Sequence, residues 1–278
     1  MDKYVAFLDI LGFKNKLKKM SQDEATKYIG HFSTTAFNQW PKEKDTKLKG
    51  YIVSDSFIIY TEDTSGKSLH ELVRTIISIC KAEFSENSIV IRGAIAKGPF
   101  DQLPATEILT LRKGLIVGQA YVDAYLLEGA IKTSGIIISS SVYEDLVNVD
   151  GYTENIFEET PPKQDKQYVL RYLTLDFLLD NNNLSAFTKL AIESGWLPHY
   201  YNTIYLALKN ENTEKRISQL FQSLLEIVSK GAPGENWRDI DLYIRNAFNP
   251  DVIGEFQTRF LKYIRQKLFD NPVTTNNA

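Results

Sequence analysis

The sequence predicts an α+β fold, a mixed sheet covered on one face by helices and followed by a helical extension. Three observations carry this expectation. The run Tyr4–Phe13 is apolar almost without a break, as a strand buried on both faces requires. Tyr51–Tyr60 repeats the arrangement around Ser54-Asp55-Ser56, two short strands joined at a tight turn. Strand and helix patterns alternate as far as Leu173, and from Leu175 onward no strand signal recurs.

Each element has its own local pattern. After the first strand, Gly12–Met20 reads as a short helix. Ser21 with Glu24 three residues later is a capping box, which starts a second helix that runs to about Asn38. A polar loop from Trp40 to Asp45 precedes the 48–60 hairpin. Leu72, Ile76, Ile79 and Cys80 share one helical face, which predicts a helix over Leu69–Phe84. Ser88–Ala96 is apolar and β-branched, a strand interrupted by Arg92. Leu115–Gly118 is a short strand, and Gln119–Ala130 a helix with Ala120, Ala124 and Leu127 on one face and Glu128 near its end. Gly135–Ile138, Ser141–Val147 and Gln167–Leu173 read as strand, helix and strand. Helices are expected over Ser185–Ser194, Glu214–Ser229 and Val252–Leu268, punctuated at 181–183 and 231–234, with frayed residues from Asn271 to Ala278.

Composition narrows the function. The 278 residues suffice for one large domain, or for one domain with a sizeable appendage. A net charge of −3 offers no basic face for duplex nucleic acid. A single cysteine, Cys80, excludes an intramolecular disulfide and reads as a core residue in a reducing compartment. No segment has the length and apolarity of a membrane span, and the N-terminus lacks the order of a signal peptide, so a cytoplasmic protein is expected. There is no Walker A loop and no dinucleotide fingerprint. His31, His70 and His199 lie far apart, which argues against zinc. Ser139–Ser141 is read as a strand-to-helix cap.

The chemistry then rests on two carboxylates. Burying the charge of Asp9 costs several kcal/mol or more unless something pairs with it, so Asp9 either meets a cation or caps the segment after it. Asp9 and Asp55, both at strand ends in apolar surroundings, match the needs of a pair of hard divalent cations. Taken singly, a helix N-cap and an ordinary turn residue account for them equally well. Arg92 in a buried strand needs an anion, either a phosphate or a neighbouring Asp or Glu. The backbone N–H groups after Gly12 would make a seat for phosphate, while the lysines beyond them read as a solvated face.

Four motifs, in order and spacing, resemble class III nucleotide cyclases: Phe7-Leu-Asp-Ile-Leu-Gly-Phe13, Ser54-Asp-Ser56, Arg92-Gly-Ala-Ile-Ala-Lys-Gly98, and Gly118-Gln-Ala-Tyr-Val-Asp-Ala-Tyr-Leu-Leu-Glu128. Their style is most similar to the pyrimidine cyclases of Pycsar anti-phage systems. The resemblance covers residues 1–175 and implies a ferredoxin-like catalytic domain there, with residues 176–278 as a helical C-terminal extension. It implies a nucleotide cyclase, a phosphorus–oxygen lyase that turns UTP or CTP into the 3′,5′-cyclic nucleotide and pyrophosphate. Two Mg²⁺ or Mn²⁺ ions would be held by Asp9, Asp55 and the Ile10 carbonyl. Gly12, Phe13 and Lys14 would cradle phosphate through their N–H groups, and Arg92 would contact the triphosphate.

The resemblance further implies a homodimer with sites at the interface, a second-messenger role in anti-phage defence, and a separate effector that reads the cyclic nucleotide. Tyr51 stands four residues before Asp55, where purine cyclases usually place a base-selecting residue. A tyrosine there, supplied by the other protomer, would suit a smaller pyrimidine, although a plain strand aromatic explains it equally. Two positions depart from the purine enzymes. Val122 and Leu126 stand where those carry an asparagine and an arginine, so either other groups such as Arg92, Lys97 or Tyr121 meet the transition-state charge, or the enzyme is slow or inactive. The rival readings are an adenylate or guanylate cyclase of the same fold, and a non-catalytic nucleotide-binding adaptor.

Overall fold

The computed structural model describes residues 1–103, 115–130, 133–149, 156–159, 167–180 and 182–194, with five further positions at 199, 200, 203, 204 and 207. The helices expected over Glu214–Ser229 and Val252–Leu268, and the frayed end, lie outside the described residues. The chain divides into two compact units, Met1–Tyr172 and Leu173–Ala278.

The first unit is built on β1 (Asp2–Ile10), α1 (Phe13–Leu17), α2 (Gln22–Gln39), β2 (Leu48–Val53), β3 (Ser56–Thr61), α3 (Gly66–Asn87) and β4 (Ile91–Pro99). These four strands lie in the order β2-β3-β1-β4, every neighbour antiparallel, which is the ferredoxin-like arrangement of two split βαβ units. The apolar run of β1 is explained by its central place between β3 and β4. The sheet is completed to seven strands by β7 (Ile136–Ile138), parallel to β4, then β9 (Gln167–Leu170) and β8 (Ile156–Glu159), both antiparallel. A separate ribbon pairs β5 (Asp101–Leu103) with β6 (Leu115–Val117). The sequence pattern does not reveal β5 or β8, and Leu115–Val117 joins the ribbon rather than the main sheet.

Side-chain alternation along β1 assigns the two faces. Tyr4 reaches the Asp145 carboxylate of α5 (Ser140–Val147) at 2.7 Å, and Gly93 of β4 lies against Leu8, so the even residues of β1 face the layer of α3 and α5. A Cβ at Gly93 would stand 2.5 Å from the Phe7 carbonyl oxygen, so only glycine fits between these strands. Val5 and Phe7 face the other way and form a core with Ile58, Tyr60, Ala96, Phe100, Ala120 and Ala124. The last two belong to α4 (Gln119–Glu128), which crosses this second face. Helices therefore cover both faces, not one. Small residues make this possible, because Ala120 and Ala124 admit close packing and a Cβ at Gly118 would stand 2.4 Å from the Pro99 carbonyl oxygen.

The capping box at Ser21 forms in full: its N–H donates to Glu24 Oε2 at 2.7 Å and its hydroxyl accepts from the Glu24 N–H at 3.3 Å. The strand expected from Ser88 starts instead at Ile91, because Ser88 (φ 52) is the left-handed C-cap of α3. At that start the Tyr172 hydroxyl accepts from the Ile91 N–H and donates to its carbonyl, at 3.1 and 2.8 Å.

Among its described residues, the second unit holds α6 (Leu175–Leu179) and α7 (Asn183–Ser194). Thr174 caps α6, and the Thr188 and Tyr200 hydroxyls meet at 2.7 Å.

Candidate active site

β1 and the β2–β3 hairpin end together. The cross-strand pair Asp9–Ser56 closes the ladder, and the Ile10 N–H donates to the Asp55 carbonyl oxygen at 3.2 Å. Asp9 thus lies beside the turn that carries Asp55. A strand residue presents its N–H and C=O to the same edge, so the Ile10 carbonyl is turned towards that turn as well. Ser54 precedes Asp55 in a left-handed conformation (φ 58), which costs a non-glycine residue about 1 kcal/mol. Beyond Ile10 the chain reverses at Gly12 (φ 78), which opens α1 without a side-chain cap.

Asp9 occupies the α4 face of the sheet and pairs across β4 with Arg92. Arg92 Nη2 lies 3.5 Å from Asp9 Oδ2, and Ser56 Oγ donates to Asp9 Oδ1 at 3.4 Å. The other side of the guanidinium is engaged: Arg92 Nε forms an ion pair with Oε1 of Glu128, the buried last residue of α4. Of the two anions expected for Arg92, the described structure supplies neighbouring carboxylates. Burial, followed by the nearby charge of Asp55, pushes the Asp9 carboxyl above its usual range, while Arg92 and Ser56 pull it back. Glu128 is raised mainly by burial, with Arg92 opposing. The sequence pattern alone gives Glu128 no role. Its only signal is an acid at the end of a helix whose last four residues are otherwise apolar.

The remaining candidates divide between this site and elsewhere. Phe13 is buried and stacked on Tyr28, with ring centroids 6.2 Å apart, so its ring is part of the packing, while Lys14 beside it is exposed at the start of α1. Tyr28 in turn feels the charges of Glu83 and Asp55, which, after burial, hold its hydroxyl protonated. Tyr51 shares the Asp9 face and stacks on Tyr60 at 6.1 Å. Lys97 is on the opposite face, bound to Asp145 at 2.7 Å, and cannot serve Asp9. Tyr121 is half-buried with its ring edge-on to Phe7. Val122 and Leu126 stand exposed on the outer side of α4, Tyr125 is partly exposed at its flank with its ring edge-on to Phe7 at 5.2 Å, and Val53 and Val117 are exposed as well.

Among the described residues no three His, Cys, Asp or Glu side chains gather into a metal-binding group. The donors at this corner are two carboxylates and one carbonyl, all hard oxygen, the set that Mg²⁺ and Mn²⁺ take. The mutual repulsion of Asp9 and Asp55 is what a divalent cation would relieve, so the residues fit such an ion. No helix among the described residues is long and apolar enough to cross a membrane.

No protein-family model matches the chain, and no curated protein matches it in sequence. Solved structures that do match include nucleotide cyclases. A guanylyl cyclase is 13% identical, with 61% of this chain and 90% of that one covered and a TM-score of 0.45. An adenylyl cyclase from P. aeruginosa is 15% identical, with 61% and 93% covered and a TM-score of 0.42. A bacterial light-regulated adenylyl cyclase is 11% identical, with 70% and 57% covered and a TM-score of 0.49.

Proposed function

We propose that this chain is a homodimeric nucleotide cyclase that converts a pyrimidine nucleoside triphosphate, UTP ahead of CTP, into its 3′,5′-cyclic nucleotide and pyrophosphate. The observation that carries the reading is the meeting of Asp9, the Ile10 carbonyl and Asp55 at one open corner of a ferredoxin-like sheet. In the reaction the ribose 3′-oxygen attacks the α-phosphorus, its proton leaves, and the bond from that phosphorus to the pyrophosphate breaks. Two bound Mg²⁺ or Mn²⁺ ions would supply acidification of the 3′-hydroxyl and charge neutralisation on the triphosphate.

The chain's own residues would hold and orient these parts. Asp9, Asp55 and the Ile10 carbonyl are the ion ligands. The N–H groups at Gly12, Phe13 and Lys14 receive phosphate oxygens. With Lys97 on the far face and Tyr121 against Phe7, Arg92 is the group that remains of the three considered for the transition-state charge. Tyr51, reaching in from the second protomer, would narrow the base pocket towards a pyrimidine. The exposed apolar residues Val122 and Leu126, one helical turn apart on the outer side of α4, support dimerisation through this helix. We assign the product a messenger role in anti-phage defence, read by a separate effector, on the motif resemblance alone.

One observation favours a second reading. Val122 and Leu126 bring no polar group to the reacting phosphate, as would suit a nucleotide-binding adaptor without turnover. Incubation of the purified protein with all four ribonucleoside triphosphates and Mn²⁺, with products identified by mass, separates the readings. Cyclic UMP or CMP, lost in Asp55→Ala, is the expected result. Cyclic AMP or GMP would keep the cyclase and remove the role given to Tyr51. No cyclic product from an intact, metal-loaded dimer would favour a nucleotide-binding protein or an enzyme that awaits an activator.

A further inference from the structure

We infer that Glu128 is a positioning residue that sets how tightly Asp9 and Asp55 hold a divalent cation, by drawing Arg92 away from Asp9. The inference rests on the cyclase reading for the identity of the cation. Its basis is the three-member line Glu128–Arg92–Asp9 on the α4 face. Arg92 side-chain exposure is 27%, that of Asp9 20% and that of Glu128 10%, so all three charges are largely withdrawn from water. Arg92 Nε and Glu128 Oε1 face each other in an ion pair, and neither atom has another hydrogen-bond partner among the described residues. The contact from Nη2 to Asp9, at 3.5 Å, is the looser of the two.

Glu128 is badly placed for stability. It is the last residue of α4, where the helix dipole is negative and disfavours a carboxylate. It is also buried, and a well-packed apolar pair in place of a buried ion pair is often as stable or more so. What the carboxylate does accomplish is to split the allegiance of Arg92. Asp9 Oδ2 can face Arg92 or a metal ion, and the two cations compete for it. With Glu128 ionised, Arg92 has a second anion to rest on and yields Asp9 readily. If Glu128 is made neutral, the whole guanidinium charge falls on Asp9, and an incoming ion must displace it. If both Glu128 and Arg92 are made neutral, the competitor is gone.

The test is a Mn²⁺ titration of the full chain without nucleotide, read by calorimetry. Glu128→Gln should weaken Mn²⁺ by about tenfold, the usual scale for outer-shell partners of metal ligands. The double variant Arg92→Met with Glu128→Gln should bind Mn²⁺ more tightly than the native protein. A purely structural role for Glu128 would move both variants the same way. Melting temperatures without Mn²⁺ check that each variant folds. Should Glu128→Gln fail to fold, the double variant decides alone, and affinity at or below native overturns the inference. Unchanged affinity in a folded Glu128→Gln protein also overturns it, while leaving the cyclase reading intact. Mn²⁺ binding that survives Asp9→Asn with Asp55→Asn would instead remove the cation site, and this inference with it.

Discussion

Glu83 lies wholly inside the packing of α2 against α3, where Oε2 accepts from Asn87 Nδ2 at 2.9 Å and Oε1 has no hydrogen-bond partner among the described residues. Burial raises its pKa from the ordinary 4.5 to about 8, with Asn87 opposing and Glu86 adding to the rise. The folded state thus binds this proton more tightly than the unfolded chain. Its contribution to stability is complete below about pH 4.5 and is lost as pH rises through about 8. Glu83→Gln, which keeps the shape without the charge, should match the native protein at pH 4.5 and exceed it at pH 9 by on the order of 4 kcal/mol. Urea denaturation at both values measures this, and a difference independent of pH would refute it. Asp9 is raised for a related reason, but its surplus charge faces an open corner with a second carboxylate beside it. Asp9 and Asp55 are legible in the sequence because each interrupts an apolar run. Glu83 and Glu128 are not, because an acid in a helix reads as solvent-facing until the neighbouring layer is known.

Elements with strong local signals are readable: the apolar run of β1, the capping box of α2, the tight hairpin and the four-residue spacing in α3. The three-residue β5 and the four-residue β8 carry too few positions to show a period, and their pairing is decided by partners distant in sequence. The face chosen by α4 is likewise hidden. Ala120 and Ala124 predict one apolar side, but Val122 and Leu126 make the other side apolar too. An apolar stripe on both sides of one helix is what an element buried between two chains needs. Leu126, 67% exposed, contributes little to the fold of one chain, so Leu126→Glu should leave the melting temperature of the isolated chain within a few degrees. The same change should split the dimer and abolish cyclisation, as sedimentation and the product assay would report. A Leu126→Glu dimer of native strength would exclude this face as the interface.

At the scale of the whole molecule, the proposed site is a sum of two half-sites, with the cation ligands Asp9 and Asp55 from one protomer and Tyr51 from the other. Tyr51 shares a sheet face with Asp9, yet it stacks on Tyr60 of the same hairpin. Within one chain it is therefore held in the β2–β3 surface, and a direct role on the base needs a second copy. This arrangement makes a prediction that no single-chain site can satisfy. Asp55→Ala removes an ion ligand from its own protomer, and Tyr51→Ala removes the base contact that its protomer lends to the other. Each homodimer then carries two defective sites. In a mixed dimer one site joins an intact cation pair to an intact Tyr51, and the other site collects both defects. Equal mixing with free exchange puts half of the chains into mixed dimers with one good site in two. About a quarter of native pyrimidine cyclase activity should then return on mixing two impaired proteins. Recovery in proportion to subunit exchange would locate the base contact across the interface. Activity that stays at the average of the two parents would place Tyr51 in its own protomer's core, and specificity would then rest on other residues of this face.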